Sequence, residues 1–215
     1  MRTLTVGLSL AVLILAPVMA QQESGGLALG RDRFLAARTV TFNSAGVDDL
    51  FLAGEILRAE SDISGSAHMA GRRVEMLGAV GGDVYLAGMS LALSGSVAGD
   101  ATLACYEARV GPVGGDLRVA GSSLVVEGPI AGCASIAGSD VRLEGPILGD
   151  VLLMGDTLTF SDEARIGGRL ILFEEDPGEH SIPLGVVSED RIERRDLSEW
   201  EDGVMGSDRS GWHDG

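Results

Sequence analysis

Six aspartates recur at a spacing that could build a cation site. Asp32, Asp49, Asp83, Asp100, Asp116 and Asp150 hold one register of a repeat, shortened by a single position between Asp100 and Asp116, and Ser66 and Cys133 fill its two gaps. Stacked carboxylates at equivalent positions of a coil could bind Ca²⁺. The glycine-rich nonapeptide pattern of calcium-binding β-rolls is absent, however. Each aspartate also follows a corner, where a short carboxylate accepts backbone N–H groups that the turn leaves free. The column therefore reads as structural capping, with no metal site.

The other reactive side chains do not converge. His68, His180 and His213 are scattered along the chain, so neither a zinc site nor a Ser-His-Asp arrangement is indicated. Glycine is abundant, but no Gly-x-x-x-x-Gly-Lys-Ser/Thr stretch occurs, which excludes a phosphate loop. Cys105 and Cys133 are the two cysteines. The frame places them two layers apart, about 9–10 Å at β spacing. A disulfide tolerates about 7 Å between Cα atoms, so two free thiols are expected. No catalytic residue, cofactor or metal is expected, and the chain reads as non-enzymatic.

The elements that would position these residues come from the same frame. The stretch from Asp83 has apolar Val84, Leu86, Leu91, Leu93 and Val97, with Gly88, Gly95 and Gly99 between them. Pairs of apolar residues two apart point to one face of an extended segment. The copies from Asp49, Ser66, Asp100, Asp116, Cys133 and Asp150 keep this pattern, and a weaker copy starts at Asp32. The last carries two extra residues near Asp162 and Glu163, which predicts a longer corner there. One such unit cannot bury its apolar face alone, whereas stacked units can. The expected fold is all-β: a three-sided parallel β-helix, or β-solenoid, of about eight 17-residue coils over residues 32–173. Each coil is read as three short strands, with glycine at the corners because it accepts positive φ and has no side chain to meet the next layer.

The flanks read differently. Residues 1–20 resemble a secretory signal peptide: Arg2, an apolar run over residues 6–18, and Val18-Met19-Ala20 before Gln21. Export to the periplasm or cell envelope of a bacterium is the corresponding expectation. Residues 21–31 read as a flexible leader. Residues 174–215 hold thirteen acidic residues against four arginines and read as a mostly disordered tail, with a short helix around Ser188 to Trp200. A formal net charge of −16 disfavours nucleic-acid binding, which uses basic surfaces.

Gly82-Asp83-Val84-Tyr85-Leu86-Ala87-Gly88, Glu127-Gly128-Pro129-Ile130-Ala131-Gly132 and Glu144-Gly145-Pro146-Ile147-Leu148-Gly149 resemble the coils of bactofilins, polymer-forming bacterial cytoskeletal proteins. The resemblance covers residues 32–173. It implies a right-handed β-helix that assembles end to end without nucleotide, and it carries no catalytic residues. The export signal departs from the best-known members, which are cytoplasmic. It turns the expected role toward a scaffold at the cell envelope, with the protein itself as partner and a membrane surface or cell wall as further candidates.

Assembly would use the ends, where backbone groups and core side chains lack a neighbouring coil. Phe34, Leu35, Val40 and Phe42 at the front, and Leu170, Leu172 and Phe173 at the back, are the expected interface residues. The alternative is capping by the chain itself. A second functional reading is a monomeric binding module for an envelope polysaccharide or protein.

Overall fold

The computed structural model describes residues 25–199; the signal-like segment lies outside them. The chain is a β-solenoid of about eight turns, each about 17 residues long. After β1 (Gly25–Leu29) and β2 (Asp32–Phe42) come six strands of equal length: β3 (Leu50–Ala59), β4 (Ala67–Met76), β5 (Val84–Leu93), β6 (Ala101–Val110), β7 (Leu117–Val126) and β8 (Ala134–Leu143). Neighbours from β2 to β8 pair in parallel at equivalent positions, such as Leu52 with Met69 and Leu86 with Leu103.

The three-strand reading of a coil needs a correction. Two sides form one bent strand. The third side is reduced to a single bridging residue per coil, the column Val47, Ile63, Val80, Val97, Val113, Ile130 and Ile147. Its hydrogen bonds are nonetheless complete: Ile63 N–H donates to the Ala79 carbonyl at 2.8 Å, and Gly81 N–H returns to the Ile63 carbonyl at 2.8 Å.

Of the two reasons expected for the corner glycines, one holds. Among the described residues only Gly30, Gly46 and Gly178 have positive φ, and none is a corner of the repeat. Space is what matters: a Cβ on Gly88 would lie 2.1 Å from the Gly71 carbonyl oxygen of the preceding coil. The layers touch through backbone there, so a side chain added at Gly88 must shift one of them.

The core is a stack of columns, from Val40 and Phe42 at the front to Leu170 and Leu172 at the back. The one shortened coil shows how perimeter and filling match. It reaches Val113 from Val110 in three steps, where the preceding coil takes four from Leu93 to Val97. A shorter perimeter encloses less space, and this coil fills it with Ala101, Leu103, Ala108, Val110 and Val113. The next coil uses the bulkier Leu117, Val119, Leu124, Val126 and Ile130, as close packing requires.

Past β8 the frame loosens. It continues as β9 (Pro146–Ile147), β10 (Val151–Met154), β11 (Thr157–Phe160) and β12 (Arg165–Ile166). Thr157 pairs with Asp140, one regular coil back, whereas Arg165 pairs with Pro146, two positions beyond the regular frame. The two extra residues therefore lie between Phe160 and Arg165, in a turn closed by Ala164 N–H on the Ser161 carbonyl at 3.3 Å.

Both flanks are more ordered than expected. β1 folds back on β2 as an antiparallel hairpin, Leu27 opposite Phe34, turning at Gly30 with φ 61°. Residues 25–29 thus belong to the fold and not to a flexible leader. At the back, β13 (Leu170–Glu174) pairs β10 on one edge and β14 (Ile192–Asp196) on the other. Between them Ile182, Val186 and Val187 join the buried core, and Glu189–Arg191 forms a 3₁₀ turn. The acidic segment is therefore ordered to Asp196, and much of the expected helix is strand. The open edge of β13 needs partners, and Ile192–Asp196 supplies them as a strand, whereas a helix bonds its backbone to itself and would leave that edge bare. Residues 200–215 lie outside the described residues.

Candidate functional site: the aspartate column and the two ends

The aspartate column is a ladder of backbone caps. Asp49 Oδ1 accepts the N–H of Ser66 at 2.8 Å, and Asp83 Oδ1 that of Asp100 at 2.9 Å. Asp100 serves Asp116 at 2.8 Å, Asp116 serves Cys133 at 2.9 Å, and Asp150 serves Arg169 at 2.8 Å. Ser66 keeps the pattern with its hydroxyl, accepting from Asp83 N–H at 3.1 Å. Each carboxylate reaches forward one coil to a donor that the tight corner leaves free. Arginines take the remaining oxygens of three of them: Arg118 bonds Asp100 at 3.1 Å and Asp116 at 3.2 Å, and Arg169 bonds Asp150 at 2.9 Å. The N–H of Asp116 and then Arg118 hold Asp100 below the usual carboxylate range. The N–H and then the guanidinium of Arg169 do the same for Asp150. No group of three metal-ligating side chains is assembled among the described residues.

Cys133 interrupts this ladder, because a thiol is a weak acceptor. Replacing it with the residue that works at position 66 should restore the bond to Asp150 N–H. Cys133→Ser is expected to stabilise the chain by about 1 kcal/mol, read as a higher urea midpoint at unchanged m-value. Cys105 and Cys133 are both free thiols. Burial, and then Glu107, push the Cys105 thiol up, which makes it less reactive.

The front end is partly covered. Val40 and Phe42 are buried in the bore, while Phe34 and Leu35 are half-buried beside β1. Phe34 does not face an open end. It starts an external ladder of parallel rings, Phe34–Phe51 at 4.5 Å, Phe51–His68 at 4.6 Å and His68–Tyr85 at 4.8 Å between centroids. Sequence reasoning missed the ladder. The signal was present, since all four residues hold the third position of successive coils. Beside the rings runs a column of exposed alanines, Ala36, Ala53, Ala70, Ala87 and Ala104. Together they line an open apolar trough of about 910 Å³. The rings stack face to face, so the two inner ones, Phe51 and His68, present only edges to solvent.

The back end is closed. Leu170 and Leu172 are 0% exposed and Phe173 6%, so these expected interface residues do not form an open face. The covering segment is held by one buried charge. Glu174, with its side chain 0% exposed, accepts from Gly178 N–H at 2.8 Å and His180 N–H at 2.9 Å. Arg194 Nη1 bonds both its oxygens, at 2.8 and 2.9 Å, and donates through Nη2 to the His180 carbonyl at 3.1 Å. His180 Nδ1 lies 3.2 Å from the same carboxylate, and its Nε2 lies 3.1 Å from the Asp156 carbonyl. Burial alone would raise the Glu174 pKa, but the backbone donors and Arg194 outweigh it and hold it below the usual range. This knot was not legible beforehand. Glu174 lies in an acidic run, and Arg194 is remote from it in the chain.

The chain is thus a β-solenoid with capped ends. Comparison with protein-family models, curated proteins and solved structures found no match.

Proposed function

We propose that this protein is a non-enzymatic structural element that assembles end to end into polymers or a scaffold at the bacterial cell envelope. The observation that carries this reading is the open twelve-stranded sheet, which ends in β1 and β14 with no partner on their outer edges among the described residues. An edge strand is a template for another chain. β1 is the less protected edge. It carries no charge, and Leu27 and Leu29 are each 68% exposed. The bactofilin-like coils and the signal-like segment point the same way. Lysine on an edge strand blocks pairing, and both leucines are exposed enough to leave the fold intact. Leu27→Lys with Leu29→Lys in the chain from Gln21 should raise the concentration needed for filaments at least tenfold, by sedimentation and negative-stain microscopy. A wild-type chain that stays monomeric at every concentration refutes the proposal.

That monomer would fit the second reading, a binding module for an envelope partner. The apolar trough beside the ring ladder favours it. Rings stacked on one another offer few free faces to a sugar, so the trough suits an apolar protein segment better than a polysaccharide.

A further inference from the structure

We propose that the back of the solenoid is a docking face for a second copy of this chain, kept shut in the monomer by the strap of residues 175–196. The inference rests on the end-to-end reading above and adds which surface is used and what controls it.

The strap behaves as a makeshift last coil. Every inner coil offers its backbone groups to the next coil. Here β14 takes the outer edge of β13, from Leu170 opposite Ile192 to Glu174 opposite Asp196. The Val186 carbonyl takes the Ile166 N–H at 2.8 Å. Arg191 Nη1 donates to the Gly168 carbonyl at 2.9 Å. Ile182, Val186 and Val187 close the bore. Unlike a true coil, the strap keeps no repeat, and its path from Leu170 to Ile192 is longer than a regular coil.

Its attachment is concentrated at Glu174. One carboxylate gathers two backbone N–H groups of the strap, Gly178 and His180, and the Arg194 guanidinium. The strand it holds is charged on its outer side, with Glu193 and Arg195 paired to each other at 2.8 Å. Such an edge resists further pairing. Releasing the strap hydrates Glu174 and uncovers the short edge of β13 together with Leu170 and Leu172. β1, at the front of another copy, has the same length, a free outer edge and, unlike β14, no charge. A strand added there buries the bore and completes the ladder, as β-augmentation does. The contact is head to tail and can repeat.

The test locks the strap. Ile171 and Glu193 are register partners across β13 and β14, so Ile171→Cys with Glu193→Cys, in a chain also carrying Cys105→Ser and Cys133→Ser, can be joined by a disulfide. The oxidised chain should stay monomeric, and the reduced chain should form filaments like its unstapled parent. Arg194→Ala should lower the concentration needed for filaments at least tenfold. Filaments that form equally well from the oxidised chain overturn the docking face while leaving end-to-end assembly standing. If the parent forms no filaments at any concentration, end-to-end assembly fails, and the docking face with it.

Discussion

Arg194→Leu should open the back cap while leaving the central coils folded. The substitution leaves the Glu174 carboxylate buried with two backbone donors and no guanidinium. Breaking a buried ion pair by removing one partner costs about 3–5 kcal/mol. The loss should appear in hydrogen exchange as faster exchange of amides 175–196, with little change in coils such as Val84–Leu93. Glu174→Gln should be milder. Its amide oxygen can still accept, and Arg194, 24% exposed, can turn to water. The double replacement Glu174→Met with Arg194→Leu should recover part of the loss, because no charge is then stranded.

The pH dependence of the cap follows with a definite sign. The Glu174 carboxyl is held below its ordinary range in the folded chain. A group whose folded pKa is depressed stabilises the fold above its unfolded value and loses that contribution as pH falls through the folded one. Acid should therefore loosen the strap before it melts the inner coils. Asp100 and Asp150, lowered in the same sense, have side chains 42% exposed and add less. Exchange of amides 175–196 at descending pH checks this, and protection that rises toward acid contradicts it.

Gly95→Val should be the more damaging single change in the middle of the solenoid. A Cβ there would sit 1.9 Å from the Gly78 carbonyl oxygen and 2.6 Å from its carbon. Neither backbone is free to retreat, since Gly95 N–H donates to the Met76 carbonyl at 3.1 Å and Ser94 N–H to the same oxygen at 2.8 Å. The expected cost is about 3 kcal/mol or more, the range of overpacking at a site that cannot relax. Because coils contact only their neighbours, a layer forced open there should also uncouple the front from the back. The urea transition should broaden or split. Gly185→Ala is the control: no atom lies within 4 Å of its Cβ position, so its midpoint should stay within about 0.5 kcal/mol of wild type. Equal effects at the two sites would discard the layer-contact account of the corner glycines.

Much of the coil was readable from residue spacing. The inward set of each copy, the capping role of the aspartates and the two-residue excess near Asp162 all follow from comparing a position with its equivalents in the neighbouring copies. Three things were not readable. The corner glycines look alike whether they serve φ or clearance, and only the 2.1 Å approach of Gly88 to Gly71 separates the two. The ring ladder was spread over four coils and hidden by the change from Phe to His to Tyr. The back cap lay in a segment whose composition reads as disorder, although Glu174 and Arg194 tie it down.

Residue spacing alone defines the repeating unit, whereas contacts distant in the chain shape the ends. The physical reason is the number of equivalent neighbours. An inner coil meets a copy of its own pattern above and below, so a local pattern repeated is enough to define register, core and caps. A terminal coil lacks one of those neighbours, and its missing hydrogen bonds must be met by residues that belong to no repeat. Gly25–Leu29 and Ile192–Asp196 take that role. The aspartates that first suggested a metal site proved to be internal fasteners.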